Sequence, residues 1–283
     1  MQNKLVSIVL PTFNGKKYIE DSINSILNQT YKNFELIIIN DASTDETLDI
    51  VNKFTSKDAR IKVFSNDTNK KLPRSLNIGF GHAKGDYFTW TSDDNIYLPN
   101  ALETMVKELD QNPNLSFVFS CEKFIDESGK VLGERSVPKD LDDIYSKNII
   151  SACFLYKKEV HVTLDGDDEN KVLVEDYDFF LRAYMNFEFK YISDSLYLYR
   201  EHGASLTATK RELVKNMSIN LLKEYLKKTD DKKIESKIKK GLSCYYLDLS
   251  DIYFMDVKRL GYKVDFYNLL KKRFRLFISE LIK

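Results

Sequence analysis

Apolar positions along the first two hundred residues follow two spacings in turn. Residues 6–10, Val-Ser-Ile-Val-Leu, form a short β-branched and aliphatic run stopped by Pro11, the pattern expected of a strand buried on both faces. Ile19, Ile23, Ile26 and Leu27 then recur at helical spacing, and residues 34–39 form a second unbroken run. The alternation continues with a helix over 47–54, a strand over 61–64, a helix over 72–82 and a strand over 87–90. Strand, helix, strand in that order predicts parallel pairs joined by crossovers, hence an α/β fold with a Rossmann-like, mainly parallel sheet flanked by helices. Ligands of such sheets bind beyond the carboxyl ends of the strands.

The residues at those ends therefore carry the chemistry. Pro11-Thr12-Phe13-Asn14-Gly15 follows the first strand, Asn40-Asp41-Ala42-Ser43-Thr44-Asp45 the second, and Ser92-Asp93-Asp94-Asn95 the later one. Adjacent aspartates at a strand end suit Mg²⁺ or Mn²⁺, hard cations usually held by one or two carboxylates together with substrate phosphates; a solvated Asp-Asp-Asn turn is the plainer alternative. The Phe13 ring can stack on a base, and Asp41 can accept a hydrogen bond from a ring N–H or a ribose hydroxyl. Ser43 or Thr44 is expected to cap the helix that follows. A Gly-rich dinucleotide fingerprint is missing after the first strand, which weakens an oxidoreductase reading, and no serine-hydrolase elbow is present.

Further along, residues 117–121 predict a strand, 122–137 a hairpin or excursion, and 140–147 a polar approach to the apolar segment 149–156. Glu175-Asp176-Tyr177-Asp178 opens a helix, where acidic residues complement the helix dipole. Cys121, Cys153 and Cys244 lie far apart without metal-ligand spacing, which argues against a disulfide framework or a structural zinc. The 283 residues carry a formal net charge of zero, but the zero hides an asymmetry: 24 Lys and Arg against 33 Asp and Glu over 1–204, and 19 against 10 over 205–283. The expectation is an α/β domain over 1–204 and a basic helical extension over 205–283. Residues 266–282 interleave Leu, Phe and Ile with Lys271, Lys272, Arg273 and Arg275. That stretch reads as a helix packed on the first domain or as one lying on an anionic membrane surface. Nucleic-acid binding is disfavoured, because the basic residues are spread around the helices while the strand-end site is acidic. The N-terminal apolar run is too short for a signal peptide and no run reaches a membrane span, so the expected place is the cytoplasm, at most against the inner face of the membrane.

Five ordered stretches are recognisable together: Val-Ser-Ile-Val-Leu-Pro-Thr-Phe-Asn (6–14), Ser-Ile-Leu-Asn-Gln-Thr-Tyr (25–31), Phe-Glu-Leu-Ile-Ile-Ile-Asn-Asp-Ala-Ser-Thr-Asp (34–45), Leu-Pro-Arg-Ser-Leu-Asn-Ile-Gly (72–79) and Ser-Asp-Asp-Asn-Ile-Tyr-Leu-Pro (92–99). They resemble glycosyltransferase family 2, the inverting, nucleotide-sugar-dependent family with the GT-A fold, and the last looks especially like its spore-coat polysaccharide member. The resemblance implies that Asp41 meets the base, that Pro11 and Phe13 flank the nucleoside, and that Arg74 stands near the base or the phosphates. It gives Asp94 to the metal, Asp93 to the ribose or the metal environment, and Asp176, in Glu-Asp-Tyr-Asp, to the catalytic base. The Tyr199-Arg200-Glu201-His202 segment resembles the family's Tyr-Arg-x-His-x-x-Ser, which approaches the diphosphate or the metal, so His202 is a candidate ligand for Mn²⁺. His82 and His161 read as surface or packing residues. The chain departs from the commoner signature at Asn40 and Ala42, where Asp and Gly often stand.

The implied reaction moves a sugar from a nucleotide-diphospho-sugar, most simply a UDP-sugar, to a hydroxyl of a glycan or lipid-linked acceptor in surface polysaccharide synthesis. A carboxylate must take the acceptor's proton as it attacks the anomeric carbon. A non-catalytic sugar-nucleotide or acceptor-binding scaffold with the same fold is the alternative from another class, and a nucleotidyltransferase is a third, lacking its Gly-rich phosphate loop.

Overall fold

The computed structural model of the chain describes residues 4–135 and 140–259; the basic stretch 266–282 lies outside the described residues. The elements divide into two compact units, one of residues 1–137 and 150–203, the other of 138–149 and 204–283.

The first unit opens as the apolar runs predict: β1 (Val6–Thr12), α1 (Ile19–Leu27), β2 (Phe34–Asn40), α2 (Thr47–Thr55), β3 (Ile61–Ser65), α3 (Leu72–Gly81) and β4 (Tyr87–Trp90). The short β5 (Ile96–Tyr97) and α4 (Ala101–Gln111) follow, then β6 (Leu115–Ile125), β7 (Val131–Glu134), β8 (Phe154–Lys157), α5 (Lys158–Leu164), α6 (Glu175–Tyr184) and β9 (Glu188–Arg200). Ile8, Leu10, Leu36 and Ile38 bury one sheet face against Ile23 and Ile26 of α1 and Met105 of α4. Val9, Ile37 and Ile39 point the other way, where α3 approaches so closely that a Cβ at Gly79 would lie 2.4 Å from Val9 Cγ1. Each fully buried Ile or Leu contributes roughly 1.5–3 kcal/mol relative to exposure.

β1 does not stop at Pro11, contrary to the expectation from sequence; it runs on to Thr12 in register with Asn40. Residues of β1 face β4 and β2 alternately: the Thr91 amide donates to Val9, and the Asp41 amide donates to Thr12. Pro11 therefore faces β4, whose ladder with β1 ends at Val9 and Trp90, so its missing N–H costs no ladder bond.

Among the described residues the sheet has nine strands, ordered β3-β2-β1-β4-β8-β6-β9-β5, with β7 paired to β6. β1, β2, β3 and β4 are mutually parallel. β8 runs antiparallel to both β4 and β6, which returns β6 to the direction of β4, and β9 lies parallel to β6. β8 thus lies reversed within the mainly parallel sheet, β5 and β7 run antiparallel to β9 and β6 at its margin, and β1, β2, β4, β6 and β9 all end at the same edge. β6 and β7 form the hairpin expected in the middle of the chain.

The second unit joins a 3₁₀ turn (Leu141–Tyr145) to α7 (Leu206–Thr209), α8 (Arg211–Lys228) and α9 (Lys232–Arg259). Lys237 Nζ donates to Asp140 at 2.6 Å and to Asp143 at 2.8 Å, and Lys233 pairs with Asp142. Basic side chains of α9 therefore hold the acidic turn, a use of part of the tail's positive charge that composition alone does not reveal. Among the described residues no helix is long and apolar enough to cross a membrane.

Candidate functional site

Loops from three parallel strands meet at the shared edge. Thr12 Oγ1 donates to Asp93 Oδ2 at 2.5 Å, joining the end of β1 to the loop after β4. Gly15 closes over that contact: a Cβ there would lie 2.1 Å from Asp93 Oδ2, so only glycine allows the approach. Burial, opposed by the Thr12 hydrogen bond and reinforced by the neighbouring Asp94 charge, pushes the Asp93 carboxyl up to about 7.

Asn14, in the left-handed region with φ 57°, joins the first loop to the second. Its amide donates to Ser43 Oγ at 3.0 Å, and its Oδ1 accepts from the Thr44 amide at 2.8 Å. Thr44 Oγ1 also donates to Asn14 Oδ1, at 3.3 Å, so both side chains are engaged there and neither caps α2. The residue before that helix, Glu46, makes no side-chain cap either; Asp45 Oδ1 accepts from the Thr47 amide at 3.0 Å at its start, which corrects the cap expected from sequence. Ala42 also stands in the left-handed region, with φ 62°, at the position where the family more often carries glycine.

Asp41, only 5% exposed, holds the loop before α3. Its Oδ1 accepts from the Lys70 amide at 2.7 Å and from Asn66 Nδ2 at 2.8 Å, and its Oδ2 accepts from the Lys71 amide at 3.0 Å. A carboxylate offers about four lone-pair sites, so roughly one is left for a ligand N–H or hydroxyl. Phe13, 49% exposed, presents an open ring at the same edge, while Pro11 is half-buried within β1.

The end of β9 grips the loop after β4. His202 Nε2 lies 2.9 Å from Asp94 Oδ2, with the His202 ring tilted against Tyr18 at 5.1 Å between centroids. Asp94 Oδ1 is buried without a hydrogen-bond partner among the described residues. A buried carboxylate oxygen with no donor is costly, and a divalent cation would satisfy it, with the imidazole as a neighbouring ligand for Mn²⁺. No cluster of three or more His, Cys, Asp or Glu suited to a metal occurs among the described residues, so the protein's share of such a site is small, the usual condition where phosphates and water complete the shell.

At α6, Val174 precedes a first turn carrying Glu175, Asp176 and Asp178. Asp178 is paired with Arg182 at 2.7 Å. Asp176 Oδ1 accepts from the Tyr177 amide at 2.7 Å, and its side chain is half-buried. Glu175 is 4% exposed, and its Oε2 has no hydrogen-bond partner among the described residues. Burial, then the charges of Asp176 and Asp167, pushes the Glu175 carboxyl up to about 8. Asp167, also buried, is pushed up to about 7. α3 reaches this region through Asn77, whose side chain exchanges hydrogen bonds with the Asp167 backbone at 2.8 and 2.9 Å. Arg74 is exposed on the same helix, 3.8 Å from Glu169. His161 packs among Phe80, Phe88 and Phe179, and burial pushes its imidazole down to about 4. His82 stacks on Phe64.

The structure thus brings Asp94 and His202 into contact, sets Asp93 beside them in sequence, and places Phe13 and Asp41 on loops from the same edge. Asp176 and Arg74 stand on α6 and α3, linked through the 165–169 segment. Thr12, Asn14, Gly15 and Asn66 were not singled out as site residues from sequence. Only Gly15, next to a strand end, carried a signal that could have found it.

The model of the glycosyl transferase family 2 matches residues 7–165. An uncharacterized glycosyltransferase of Haemophilus influenzae is 36% identical over 155 residues, 54% of this chain and 48% of the relative, so the chain spans about half of that relative's length. An uncharacterized glycosyltransferase of Methanocaldococcus jannaschii is 32% identical over 209 residues, 71% of this chain and 72% of the relative. Among solved structures, S. aureus TarS 1–349 in complex with UDP-GlcNAc superposes with a TM-score of 0.68 at 21% identity, covering 97% of this chain and 80% of that one. The mannosyltransferase PcManGT from Pyrobaculum calidifontis, in complex with GDP-Man and Mn²⁺, gives 0.67 at 16% identity, covering 97% and 81%. These likenesses are of fold, the GT-A α/β fold, and with the family match over 7–165 they carry one conclusion: the chain belongs to glycosyltransferase family 2.

Proposed function

We propose that the protein is an inverting glycosyltransferase that moves a sugar from a nucleotide-diphospho-sugar, a UDP-sugar in the simplest case, to a hydroxyl of a glycan or lipid-linked acceptor, in surface polysaccharide synthesis. The observation that supports this most directly is the buried, unpartnered Asp94 Oδ1 beside His202 at the strand-end edge. Two proteins of the same fold are described as complexes with UDP-GlcNAc and with GDP-Man and Mn²⁺.

In this reading Asp94 and His202 would hold Mn²⁺ or Mg²⁺, which would supply positive charge for the leaving diphosphate. Asp93, braced by Thr12, faces the ribose. Phe13 and Pro11 flank the nucleoside, and Asp41 offers its remaining acceptor position to the base. Arg74, on an exposed stem, reaches the base or the phosphates and binds anions through its planar fork. Asp176 takes the proton of the acceptor hydroxyl while that oxygen attacks the anomeric carbon from the face opposite the leaving group. One displacement inverts the centre.

Calorimetric titration with UDP, GDP, dTDP and CDP, each with and without Mn²⁺, tests the donor half. The expected outcome is tight binding of one nucleotide that needs Mn²⁺ in the wild-type chain and weakens at least 10-fold in Asp94→Ala. Binding of none of the four under either condition would overturn the reading.

A further inference from the structure

Arg200 is the last residue of β9 and is only 3% exposed, an unusual place for a guanidinium. Its donors go to three segments far apart in sequence. Nε donates to the Asp94 carbonyl at 3.0 Å, Nη1 to the Glu127 carbonyl at 3.1 Å and more loosely to the Asp126 carbonyl at 3.5 Å, and Nη2 to the Asp21 carboxylate at 3.1 Å. The guanidinium also lies 4.5 Å from the centroid of the Tyr18 ring. All three of its nitrogens are directed at protein oxygens, so in this arrangement the guanidinium is engaged with the protein itself.

The same strand end makes two more contacts with the acidic loop. The Arg200 amide donates to Asn95 Oδ1 at 2.8 Å, and His202, two residues on, meets Asp94 Oδ2. Asp94 is therefore held from both ends of the residue, at its carbonyl by Arg200 and at its carboxylate by His202. The turn after β6 is pinned by the same guanidinium and tied to the loop before α1 through the Lys17–Glu127 ion pair.

We propose that Arg200 is the positioning residue of the Asp94–His202 pair, orienting the metal-holding carboxylate and coupling its loop to the β6–β7 turn. The proposal rests on Asp94 being the metal holder for its effect on binding, but not for its effect on the two loops. Groups that orient metal ligands from outside the shell typically change metal affinity 10–100-fold when lost. Lys in place of Arg keeps the charge but loses the fork that spans three segments.

The test uses the full chain and two variants. Arg200→Lys removes the fork directly. Asp21→Asn removes only the charge of its surface partner, whose side chain is 58% exposed, and weakens that contact from a charge-assisted to a neutral hydrogen bond. Mn²⁺-dependent affinity for the nucleotide that binds wild type is expected to fall about 10–100-fold in Arg200→Lys and less in Asp21→Asn. Affinity measured in EDTA and the melting temperature of Asp21→Asn stay at the wild-type values. Hydrogen exchange without metal or nucleotide is expected to rise in both variants over 91–97 and 126–130 together, with the β1–β2 ladder unchanged. Wild-type exchange over 91–97 in a folded Arg200→Lys protein overturns the proposal; if that variant does not fold, the same result in Asp21→Asn does so. Failure of the wild type to bind any nucleotide with Mn²⁺ would sink the metal reading instead, and the exchange data would still decide the role of Arg200.

Discussion

Asp93 and Asp94 sit in a loop between strands, whereas Glu175, Asp176 and Asp178 open a helix, and the two acidic groups are stabilised differently. In the loop, a neutral hydroxyl holds Asp93, an imidazole holds Asp94, and a buried guanidinium binds the main-chain carbonyl beneath them. One carboxylate oxygen is left without a donor, an arrangement completed by adding positive charge. At the helix, the oriented amides of the first turn favour anions, and Arg182 is engaged with Asp178 and with the carbonyls of Leu164 and Gly166. Burial drives Glu175 towards its protonated form, as it does Asp93 in the loop. Carboxylates of the same chemical type thus sit in opposite settings: the loop leaves an Asp94 oxygen open to a cation, whereas the helix surrounds its first-turn carboxylates with amides and Arg182.

Substitutions that treat the two groups separately sharpen this contrast. The largest effect is expected at Asp176→Asn, which keeps the shape and removes the base: turnover falls by about 10²–10⁴-fold, while calorimetry finds nucleotide affinity within about 2-fold of wild type. Equal, measurable turnover in the two proteins would remove Asp176 as the base, and no turnover in either would favour the scaffold alternative. Glu175→Gln is next. The folded-state carboxyl at about 8, against an ordinary 4.5, means that the native chain retains a proton which the unfolded chain has released between those values. Its contribution to stability therefore declines as pH rises through that window and levels off above it. Glu175→Gln should remove that decline, being on the order of 5 kcal/mol more stable than wild type at pH 9 and converging with it near pH 5, as denaturant melts at the two pH values would show. The smallest effect is expected where no charge is involved. Ala42→Gly relieves a left-handed alanine and should raise stability by about 0.5–1 kcal/mol without changing nucleotide affinity; a loss of stability would mean that the loop, not the residue, sets that backbone.

Much of the sheet could be read from the chain because buried parallel strands demand unbroken Val, Ile and Leu. Residues 34–39 have no other comfortable place, and β2 occupies that run with one residue more. The Asp-Asp-Asn step and the Glu-Asp step were visible as local chemistry. Pro11 misled because its effect depends on where β4 stops pairing. Ser43 and Thr44 looked like caps because a cap is a local inference, whereas Asn14, some 29 to 30 positions away, takes both. The Thr12–Asp93 bond joins residues 81 apart and the Arg200–Asp94 bond residues 106 apart. No periodicity reports pairings of that kind; they appear only once the strand order is known.

The separation of those partners also bears on how the chain acquires its structure. β6 and β9 pair across more than sixty intervening residues, and Arg200 meets Asp21 across 179. Contacts so distant must overcome the entropy of closing long loops before they are rewarded, and they slow folding relative to local pairing. The strands that carry Asp41 and Asp93 lie within the first hundred residues, while the residues that grip Asp94 arrive with the last strand of the sheet. During synthesis from the N-terminus, the loops that bear Asp41 and Asp93 emerge long before His202 and Arg200, so the position we propose for the cation is completed only when the last strand of the sheet has been made.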